Sequence, residues 1–472
     1  MNSRAIKLSA ALGVLAKIAS IVGRFLVAGF IGPAGYALIA IVTNVLKWMG
    51  LVNMSILSVA LREIPILLKN SEHLQAQRLY HTMTSLYLAT SCISLVVPIV
   101  YYFANDSIDA TILAAVFLLK STSVLLSLTQ AYLKGDGDFE SLALLNGMLA
   151  IAFPISTIFA TYFFGVFGFF VALFASELIL SLNFFSATKF KFVSVSIFEF
   201  KSLIARSLPT YLTNVLDSLL LSFPILFFSF SGDLDKLGIV GFYMTMLSAK
   251  NLPLMTVLAP MIKRGYTEVS LGETDADSIF QETIFKVELI ISTIVAAISV
   301  AFLFVLNAYL PEFRETASIQ YLFIFVAFVI CNRFWYYSYA QVVSGYKLVI
   351  GLLASVFAGL AIFSILDLGG FLEVYLIALA LLVFIVRVNF IVQVSGLKTA
   401  FFVLIRDAFF ALAVLLCLNV LDLHSVQTLN VQSGLSLLGC LTTILLTSEV
   451  LFRLQFSESL VLASIQFLRR KS

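Results

Sequence analysis

Long, unbroken apolar runs are the feature that most constrains this chain of 472 residues. Fourteen of them are long enough to cross a hydrocarbon layer of about 30 Å as helices. The runs are continuous and do not alternate with polar residues, which favours helices over a membrane barrel. With 61% hydrophobic and only 12% charged residues, the chain has too little polar surface to cover a soluble core. We therefore predict an all-α polytopic membrane protein with spans at 8–31, 36–60, 82–103, 111–133, 141–164, 166–186, 207–230, 239–262, 284–306, 318–343, 348–366, 373–393, 407–421 and 433–452.

The distribution of lysine and arginine predicts how these spans are oriented. Nineteen of these residues fall on the side of the N-terminus, whereas the opposite side holds only Lys236 and Arg314. Basic residues in short loops stay in the cytoplasm, so both termini are predicted to be cytoplasmic. That arrangement requires an even number of spans, in agreement with fourteen.

A basic segment at 187–206 divides the chain into two predicted lobes of six spans. The first lobe covers 1–188, the second covers 207–394, and residues 407–472 add two further helices and a short tail. A weak echo supports parallel repeats, because the second span of each lobe begins near a glycine and a tyrosine and reaches a central lysine. The paired features are Gly35-Tyr36 with Lys47, and Gly241-Phe242-Tyr243 with Lys250.

Cations recur at the centres of the predicted spans. Each costs about 2.5 to 3.5 kcal/mol to insert if left alone, so their number predicts a shared polar interior. Interhelical ion pairs are the alternative explanation, but Glu177 and Asp217 are the only central acids and can neutralise two cations at most. The pattern therefore predicts an anionic ligand within the membrane. The cations are Lys17 and Arg24, seven apart on one helix face, Lys47 beside Thr43 and Asn44, Lys250, Arg333, and Lys120, whose role stays open.

The two central acids and one aromatic run each allow more than one role. Asp217 can pair with Lys250, coordinate a coupling cation or carry a proton, and Glu177 can be a proton-coupling site or an ion-pair partner. The run from Asn332 to Gln341 around Arg333 can stack on sugar rings or form an interfacial aromatic belt.

Other classes of site are not indicated by the sequence. The four cysteines lie in apolar runs without metal-ligand spacing, and the three histidines have no matching partners, so we expect no metal. A net charge of +3 without a long basic run makes nucleic acid a poor partner. We expect no organic cofactor and no enzymatic activity.

The segment FIGPAGYALIAIVTNVLKWMGLVNMSILSVALREI, from Phe30 to Ile64, resembles the start of polysaccharide and O-antigen flippases of the multidrug/oligosaccharidyl-lipid/polysaccharide exporter superfamily. In that family a glycine-tyrosine turn after span one leads into a second span that ends in a glycine-leucine pair and an arginine. The corresponding residues here are Gly32, Gly35, Tyr36, Gly50, Leu51, Arg62 and Ile64.

The resemblance implies two six-helix lobes around a cavity that opens alternately to each side of a bacterial inner membrane. The implied substrate is an undecaprenyl-pyrophosphate-linked oligosaccharide, such as an O-antigen or capsule repeat unit, moved from the cytoplasmic to the outer leaflet. Polymerases and glycosyltransferases of the same biosynthesis are the implied partners, besides membrane lipids. The cavity cations would be Lys17, Arg24, Lys47, Lys250 and Arg333, with H⁺ or Na⁺ coupling through Asp217 or Glu177 left open. Two alternatives remain, a peptidoglycan-precursor flippase and an ion-coupled drug antiporter of the same superfamily.

Overall fold

The computed structural model describes residues 3–104, 109–136, 139–185, 191–231, 233–249 and 298–314, with a few single positions beyond 318. Within these ranges the regular structure is helical, as predicted, and contains no strand. A 3₁₀ turn at Pro311–Phe313 follows the last helix. The helices are α1 (Ser3–Val52), α2 (Ser58–Lys69), α3 (His73–Ser94), α4 (Val96–Ala104), α5 (Ala110–Asp136), α6 (Phe139–Phe185), α7 (Ile197–Ser231), α8 (Leu234–Ala249) and α9 (Ile298–Tyr309).

Four stretches of the described helices are long and apolar enough to cross a membrane. Two of them contain 34 and 40 residues, which at about 1.5 Å per residue exceed one crossing of about 30 Å. The protein is therefore a multi-pass membrane protein. The four stretches are Ala19–Val52, His73–Ala104, Ala110–Leu133 and Leu144–Asn183. The predicted spans from residue 318 onwards lie outside the described ranges.

Helix α6 folds back on itself at Gly165, where φ is 60° and ψ is −146°. The hydroxyl oxygens of Ser156 and Ser176 are 2.9 Å apart, although twenty residues of straight helix would separate them by about 30 Å. Gly168 also packs directly on the Ala160 backbone across the same turn. Helix α6 is therefore an antiparallel pair, and its break separates the predicted spans 141–164 and 166–186.

Helix α1 breaks in the same way at Gly32, where φ is 66° and ψ is −178°, followed by Pro33. The ring of Phe242 lies 5.5 Å from the ring of Phe25 and 5.1 Å from that of Tyr36. In a straight helix, Phe25 and Tyr36 would be about 16 Å apart along the axis. The two halves of α1, 3–31 and 33–52, therefore turn back at the predicted boundary.

The first halves of α1 and α6 run side by side in the same direction. Gly23 faces Pro154 near one end of this contact, and the rings of Phe30 and Tyr162 lie 5.3 Å apart near the other. The turns at Gly32 and Gly165 consequently lie at the same end of the bundle.

The second predicted span ends earlier than expected. It stops at Val52 instead of residue 60, and Met54 and Ser55 adopt positive φ values of 48° and 52° before α2 begins. The Asn53 side chain accepts a hydrogen bond of 3.2 Å from the Ser91 hydroxyl, which fixes this turn against α3. Here a tertiary contact interrupts a sequence whose apolar character continues.

Apolar side chains of α2, α3 and α7 form a separate cluster beyond this turn. Val59 of α2, Met83 of α3 and Leu203 of α7 are all buried in it. Helices α1 to α8 belong to one compact unit, and α9 belongs to a second. The predicted lobe limits of 1–188, 207–394 and 407–472 remain predictions.

Candidate functional site

The second half of α1 carries the polar stripe that the sequence indicated, formed by Thr43, Asn44 and Lys47, and Trp48 adjoins it. Asn44, Lys47 and Trp48 are spaced by three and four residues and therefore share one helix face. Asn44 is only 1% exposed, and both its amide atoms and the Trp48 indole nitrogen find no hydrogen-bond partner among the described residues. The Thr43 hydroxyl is used within the helix, since it donates to the Ile39 carbonyl at 2.8 Å.

Arg24 lies on the first half of α1, before the turn at Gly32. The side chain is half-buried, and its Nε is buried without a hydrogen-bond partner in the described part of the chain. The guanidinium charge is close enough to interact with the hydroxyl of Tyr36, on the second half of the same helix. Arg24 and Lys47 are therefore placed on the two antiparallel halves of one hairpin.

Helix α8 packs closely against this hairpin through two glycines. A Cβ atom at Gly238 would lie 1.8 Å from the Pro33 carbonyl oxygen, and one at Gly241 would lie 2.4 Å from Ala40 Cβ. Only glycine at these positions lets the backbones approach so closely. The Tyr36 hydroxyl comes within hydrogen-bonding reach of the Thr245 side chain.

The same contact brings together the two similar motifs, Gly35-Tyr36 and Gly241-Phe242-Tyr243. Tyr36, from the first motif, packs edge-on against Phe242, from the second, and both rings are fully buried. Tyr243 is also buried. The predicted correspondence between the motifs thus involves residues that contact one another at the α1–α8 interface.

The remaining predicted site residues are only partly covered by the structure. Lys17 lies in α1 and Asp217 in α7, but their side chains are outside the described part. Lys250 and Arg333 lie outside the described residues altogether. The structure therefore places the side chains of Arg24 and Lys47 and leaves the other three cations as predictions.

Comparisons with known proteins were made for the whole chain. No protein-family model matches it, and no curated protein matches it. Solved structures do match. A structure named only "protein A" superposes with a TM-score of 0.61 at 16% identity, over 85% of this chain and 97% of its own. A mutant of the Vibrio cholerae MATE transporter VcmN gives 0.55 at 11% identity, over 83% and 97%.

A third solved structure, the MATE multidrug transporter DinF-BH in a ligand complex, gives a TM-score of 0.53 at 16% identity. The match covers 85% of this chain and 97% of that one. This chain has the fold of the MATE transporters. At such low identity the likeness concerns the fold alone, and the charges of the site must be considered separately.

Within this MATE fold, Glu177 of α6 is bound to a hydroxyl. The Thr122 hydroxyl of α5 donates to the Glu177 carboxylate at 2.7 Å and also lies 3.1 Å from the Leu119 carbonyl. No described lysine or arginine lies within ion-pairing distance of Glu177. Of its two predicted roles, the ion pair is therefore not formed with any cation that the structure describes.

Lys120 is another buried cation of the MATE fold and is only 4% exposed. No carboxylate in the described ranges lies within 4 Å of its ammonium group. Among the described residues, the Lys120 side chain forms no hydrogen bond or ion pair with the polar stripe of α1. Lys120 stays a residue without an assigned role.

Helix α7 also joins the site. The Asn214 side chain donates a hydrogen bond of 2.8 Å to the Ser55 hydroxyl, in the turn that follows α1. Asn214 and Asp217 are three residues apart in the sequence and so make a polar stripe along one face of this helix. The stripe thus begins at a direct contact with the end of the α1 hairpin.

Two ion pairs that the sequence analysis missed connect α7 with α2 and α3. Arg206 of α7 donates to Glu63 of α2 at 2.6 Å, and Arg78 of α3 donates to Glu199 of α7 at 2.8 Å. The Ser-x-x-Glu spacing of Ser196 and Glu199 was an available signal, because it predicts a capping box at a helix start. The ion-pair partners themselves are 121 and 143 residues apart, so no local pattern could identify them.

Ser196 and Glu199 form that capping box. The Ser196 backbone N–H and hydroxyl both donate to the Glu199 carboxylate at 3.0 Å, and the Glu199 backbone N–H donates to the Ser196 hydroxyl oxygen at 3.2 Å. The hydrogen bond from the Ser196 backbone N–H, followed by those from the Ser196 hydroxyl and Arg78, holds the pKa of Glu199 below its usual value.

Among the described residues, no three histidine, cysteine, aspartate or glutamate side chains lie together in a way that could hold a metal ion. The polar atoms of the candidate site are instead amide, indole, ammonium and guanidinium groups. Except for the amide oxygen of Asn44, these groups are hydrogen-bond donors. The site is therefore suited to a ligand rich in acceptor oxygens.

Proposed function

We propose that this protein is a flippase that moves an undecaprenyl-pyrophosphate-linked oligosaccharide from the cytoplasmic to the outer leaflet of a bacterial inner membrane. O-antigen and capsule repeat units are the substrates of this kind. The proposed site consists of the cations Lys17, Arg24, Lys47, Lys250 and Arg333. The supporting observation is the hairpin of α1, which carries Arg24 and Lys47 on its two halves and holds no acidic residue in its spanning part.

Charge supports an anionic substrate. The four described spanning stretches contain four cations, of which Arg78 pairs with Glu199, and one acid, Glu177, which is bound to Thr122. Arg24 has no described carboxylate within ion-pairing distance. Cations buried within a membrane are costly unless a counter-ion balances them. A pyrophosphate that enters from the membrane surface would supply that counter-charge while its prenyl tail stays in lipid.

Alternating access would use the close contact of α8 with the α1 hairpin. The glycine contacts at Pro33 and Ala40 allow two smooth helix surfaces to separate or slide without pulling long side chains apart. Lysine suits a site that must release its ligand, because its ammonium binds phosphate as a single charge and not as a two-pronged fork. The cycle would thus bind the pyrophosphate, reorient and let it go.

Ion coupling is a further part of this proposal. Within the described spanning stretches, Glu177 is the acid that can exchange a proton. Thr122 can donate a hydrogen bond to the ionised carboxylate or accept one from the protonated form. Asp217, on the polar stripe of α7, is the second candidate, for H⁺ or Na⁺. We expect no organic cofactor.

The second candidate function is an ion-coupled drug antiporter, and the MATE fold is the observation that favours it. A cationic drug would require acidic groups in the first lobe, and Glu177 would then be the binding residue. A peptidoglycan-precursor flippase is the third candidate and requires the same cations as the main proposal. The charge of the transported headgroup therefore separates the antiporter from both flippases.

The decisive experiment is a translocation assay with the full-length protein in proteoliposomes. A labelled lipid-linked oligosaccharide is loaded, and its arrival in the opposite leaflet is followed by its accessibility to an added glycosidase. We expect Lys47→Ala and Lys250→Ala each to slow translocation about tenfold to a hundredfold, since a hydrogen bond to a charged group contributes about 1.5 to 3 kcal/mol.

Lys236→Ala is the matched control, because Lys236 lies at the start of α8 and its side chain is 68% exposed. It should translocate at the wild-type rate. Wild-type rates in both Lys47→Ala and Lys250→Ala, in folded protein, would refute the cationic site. Proton-driven transport of an organic cation that is lost in Glu177→Gln, without movement of the lipid-linked sugar, would establish the antiporter instead.

A further inference from the structure

Three buried polar atoms on one turn of α1 lack hydrogen-bond partners among the described residues. They are the amide nitrogen and oxygen of Asn44 and the indole nitrogen of Trp48, none of which finds a hydrogen bond among the described residues. Buried polar groups are almost always paired, and an unpaired one costs free energy. A ligand that forms the missing hydrogen bond in another state of the protein would explain why such a group is buried.

The chemistry of these atoms identifies the kind of ligand group. The Asn44 nitrogen and the Trp48 indole donate hydrogen bonds, but the Asn44 oxygen can only accept one. The pyrophosphate between a lipid and a sugar is esterified at both ends and has no proton to donate at neutral pH, so it cannot satisfy the Asn44 oxygen. A sugar hydroxyl both donates and accepts, and the flat indole offers an apolar surface on which a sugar ring can lie.

We propose that Asn44 and Trp48 form a hydroxyl-binding subsite for the sugar that adjoins the pyrophosphate. The subsite lies next to Lys47, which comes between the two residues in sequence and on the same helix face. A lysine for the phosphate and an amide-indole pair for the first sugar would match the order of groups in a lipid-linked oligosaccharide. This inference rests on the proposed function and extends it from the charged headgroup to the glycan.

The packing shows what must move for the subsite to fill. Ala40 lies one helical turn before Asn44 on the same stripe, and Ala40 is in contact with Gly241 of α8. The polar atoms of Asn44 and Trp48 are closed off from solvent in this arrangement. The subsite therefore becomes accessible when α8 separates from the second half of α1.

The test measures the binding of two probes to the purified full-length protein in lipid nanodiscs. One probe is undecaprenyl pyrophosphate without sugar, and the other carries a single hexose. We expect the wild-type protein to bind the hexose-bearing probe about tenfold more tightly, because a site built to bond a hydroxyl discriminates against a ligand that lacks it. Asn44→Leu should abolish this preference and bind both probes like the bare pyrophosphate.

Three further variants isolate the effect. Trp48→Phe keeps an aromatic ring but removes the indole N–H, and it should reduce the preference about threefold, as expected for the loss of one neutral hydrogen bond. Thr43→Val is the matched control, since the Thr43 hydroxyl is occupied within its own helix, and it should keep the full preference. Lys47→Ala should weaken the binding of both probes equally.

Thermal unfolding of the same variants separates binding from folding. Asn44→Leu replaces the buried amide atoms with methyl groups on a side chain of the same branching and heavy-atom number, so it should unfold at the wild-type temperature or above. If Asn44→Leu is more stable and keeps the sugar preference, Asn44 merely holds an ordered water and the subsite is refuted. If Asn44→Leu does not fold, an unchanged preference in Trp48→Phe refutes it.

The failure of this inference is distinguishable from the failure of the proposed function. A wild-type protein that binds both probes with equal affinity refutes the subsite and leaves the pyrophosphate site in place. A wild-type protein that binds neither probe refutes the flippase proposal and the subsite together.

Discussion

Gly32 and Gly165 hold backbone conformations that other residues reach only with strain. Both combine a positive φ of 60° or more with a ψ beyond ±145°, a region that is essentially restricted to glycine. Each residue allows a long apolar sequence to turn back without a loop. Single glycines thus convert two continuous apolar runs into four helices.

Gly32→Ala should destabilise the protein by about 1 to 3 kcal/mol, because alanine is strained at this φ and ψ. The measurement is thermal unfolding of the purified protein, followed by tryptophan fluorescence. Gly50→Ala is the control, since Gly50 lies within α1 and an added Cβ would meet no atom within 4 Å. We expect that variant to unfold at the wild-type temperature or slightly above it; equal loss in both variants would contradict the role of the turn.

At the scale of single residues, the sequence predicted which side chains belong to the site better than it predicted their hydrogen bonds. The stripe of Thr43, Asn44 and Lys47 follows from helical spacing alone. Tertiary packing decides that the Thr43 hydroxyl bonds to its own helix, whereas the Asn44 amide and the Trp48 indole nitrogen find no partner in the described part of the chain.

Among the elements, α8 and the α1 hairpin pack closely at Gly238 and Gly241. Gly238→Ala would place a methyl group on the Pro33 carbonyl and force the helices apart, so we expect a loss of about 1 to 3 kcal/mol. Thermal unfolding gives the stability, and the translocation assay reports whether the separated helices still reorient. Lys236→Ala on the same helix should behave like the wild type; an unperturbed Gly238→Ala protein would show that the contact is not tight.

The ion pairs and the capping box at the start of α7 should respond to acid. The pKa of Glu199 is depressed in the folded protein, so its stabilising contribution is complete above the usual glutamate pKa. That contribution is lost as the pH falls through the depressed folded value. Hydrogen exchange in residues 191–200, corrected for intrinsic rates, should therefore become less protected below about pH 4.5 in the wild type.

Glu199→Gln should show weaker protection at neutral pH and a smaller change on acidification, because the carboxylate is already absent. Glu72→Gln, outside this capping box, should retain the wild-type acid response. If acidification affects Glu199→Gln and the wild type equally, another carboxyl group controls this segment.

Element boundaries were predictable where the chain itself supplies the signal. The turns at Gly32 and Gly165 fall at the predicted boundaries between spans 8–31 and 36–60 and between spans 141–164 and 166–186. The early end of α1 at Val52 and the break at Leu95 between α3 and α4 were not predicted, because both lie within apolar sequence. At Val52 the Asn53–Ser91 contact ends the helix, and near Leu95 the missing N–H of Pro98 weakens it.

For the whole molecule, hydropathy predicted an all-α protein with many membrane spans, and the exporter family was suggested only by the resemblance of residues 30–64. The VcmN structure shares only 11% identity with this chain, although the two folds match over 83% of it. Apolar length and turn spacing are enough to maintain such a fold, whereas a few charged side chains decide what it transports. The cations of α1 are therefore more informative about the substrate than the fold is.

The topology gives a prediction at the same scale. Reporter domains fused at Asp233 and at Lys398 should lie on opposite sides of the membrane, the first outside and the second in the cytoplasm, because lysine and arginine are concentrated on the cytoplasmic side. Activity of a periplasmic reporter and fluorescence of a cytoplasmic one provide the measurement. Both fusions reporting the same side would contradict the predicted orientation.

The hairpin turns of α1 and α6 also determine where the protein tolerates added sequence. At Gly32 and Gly165 the polypeptide reverses within a residue or two, so an inserted epitope tag would have to unwind helical turns that cross the bilayer. The extended stretch before α7 is different, since residues 191–196 are not helical. We therefore expect antibodies, proteases and engineered insertions to reach the chain at residues 191–196 much more readily than at the turns of Gly32 and Gly165.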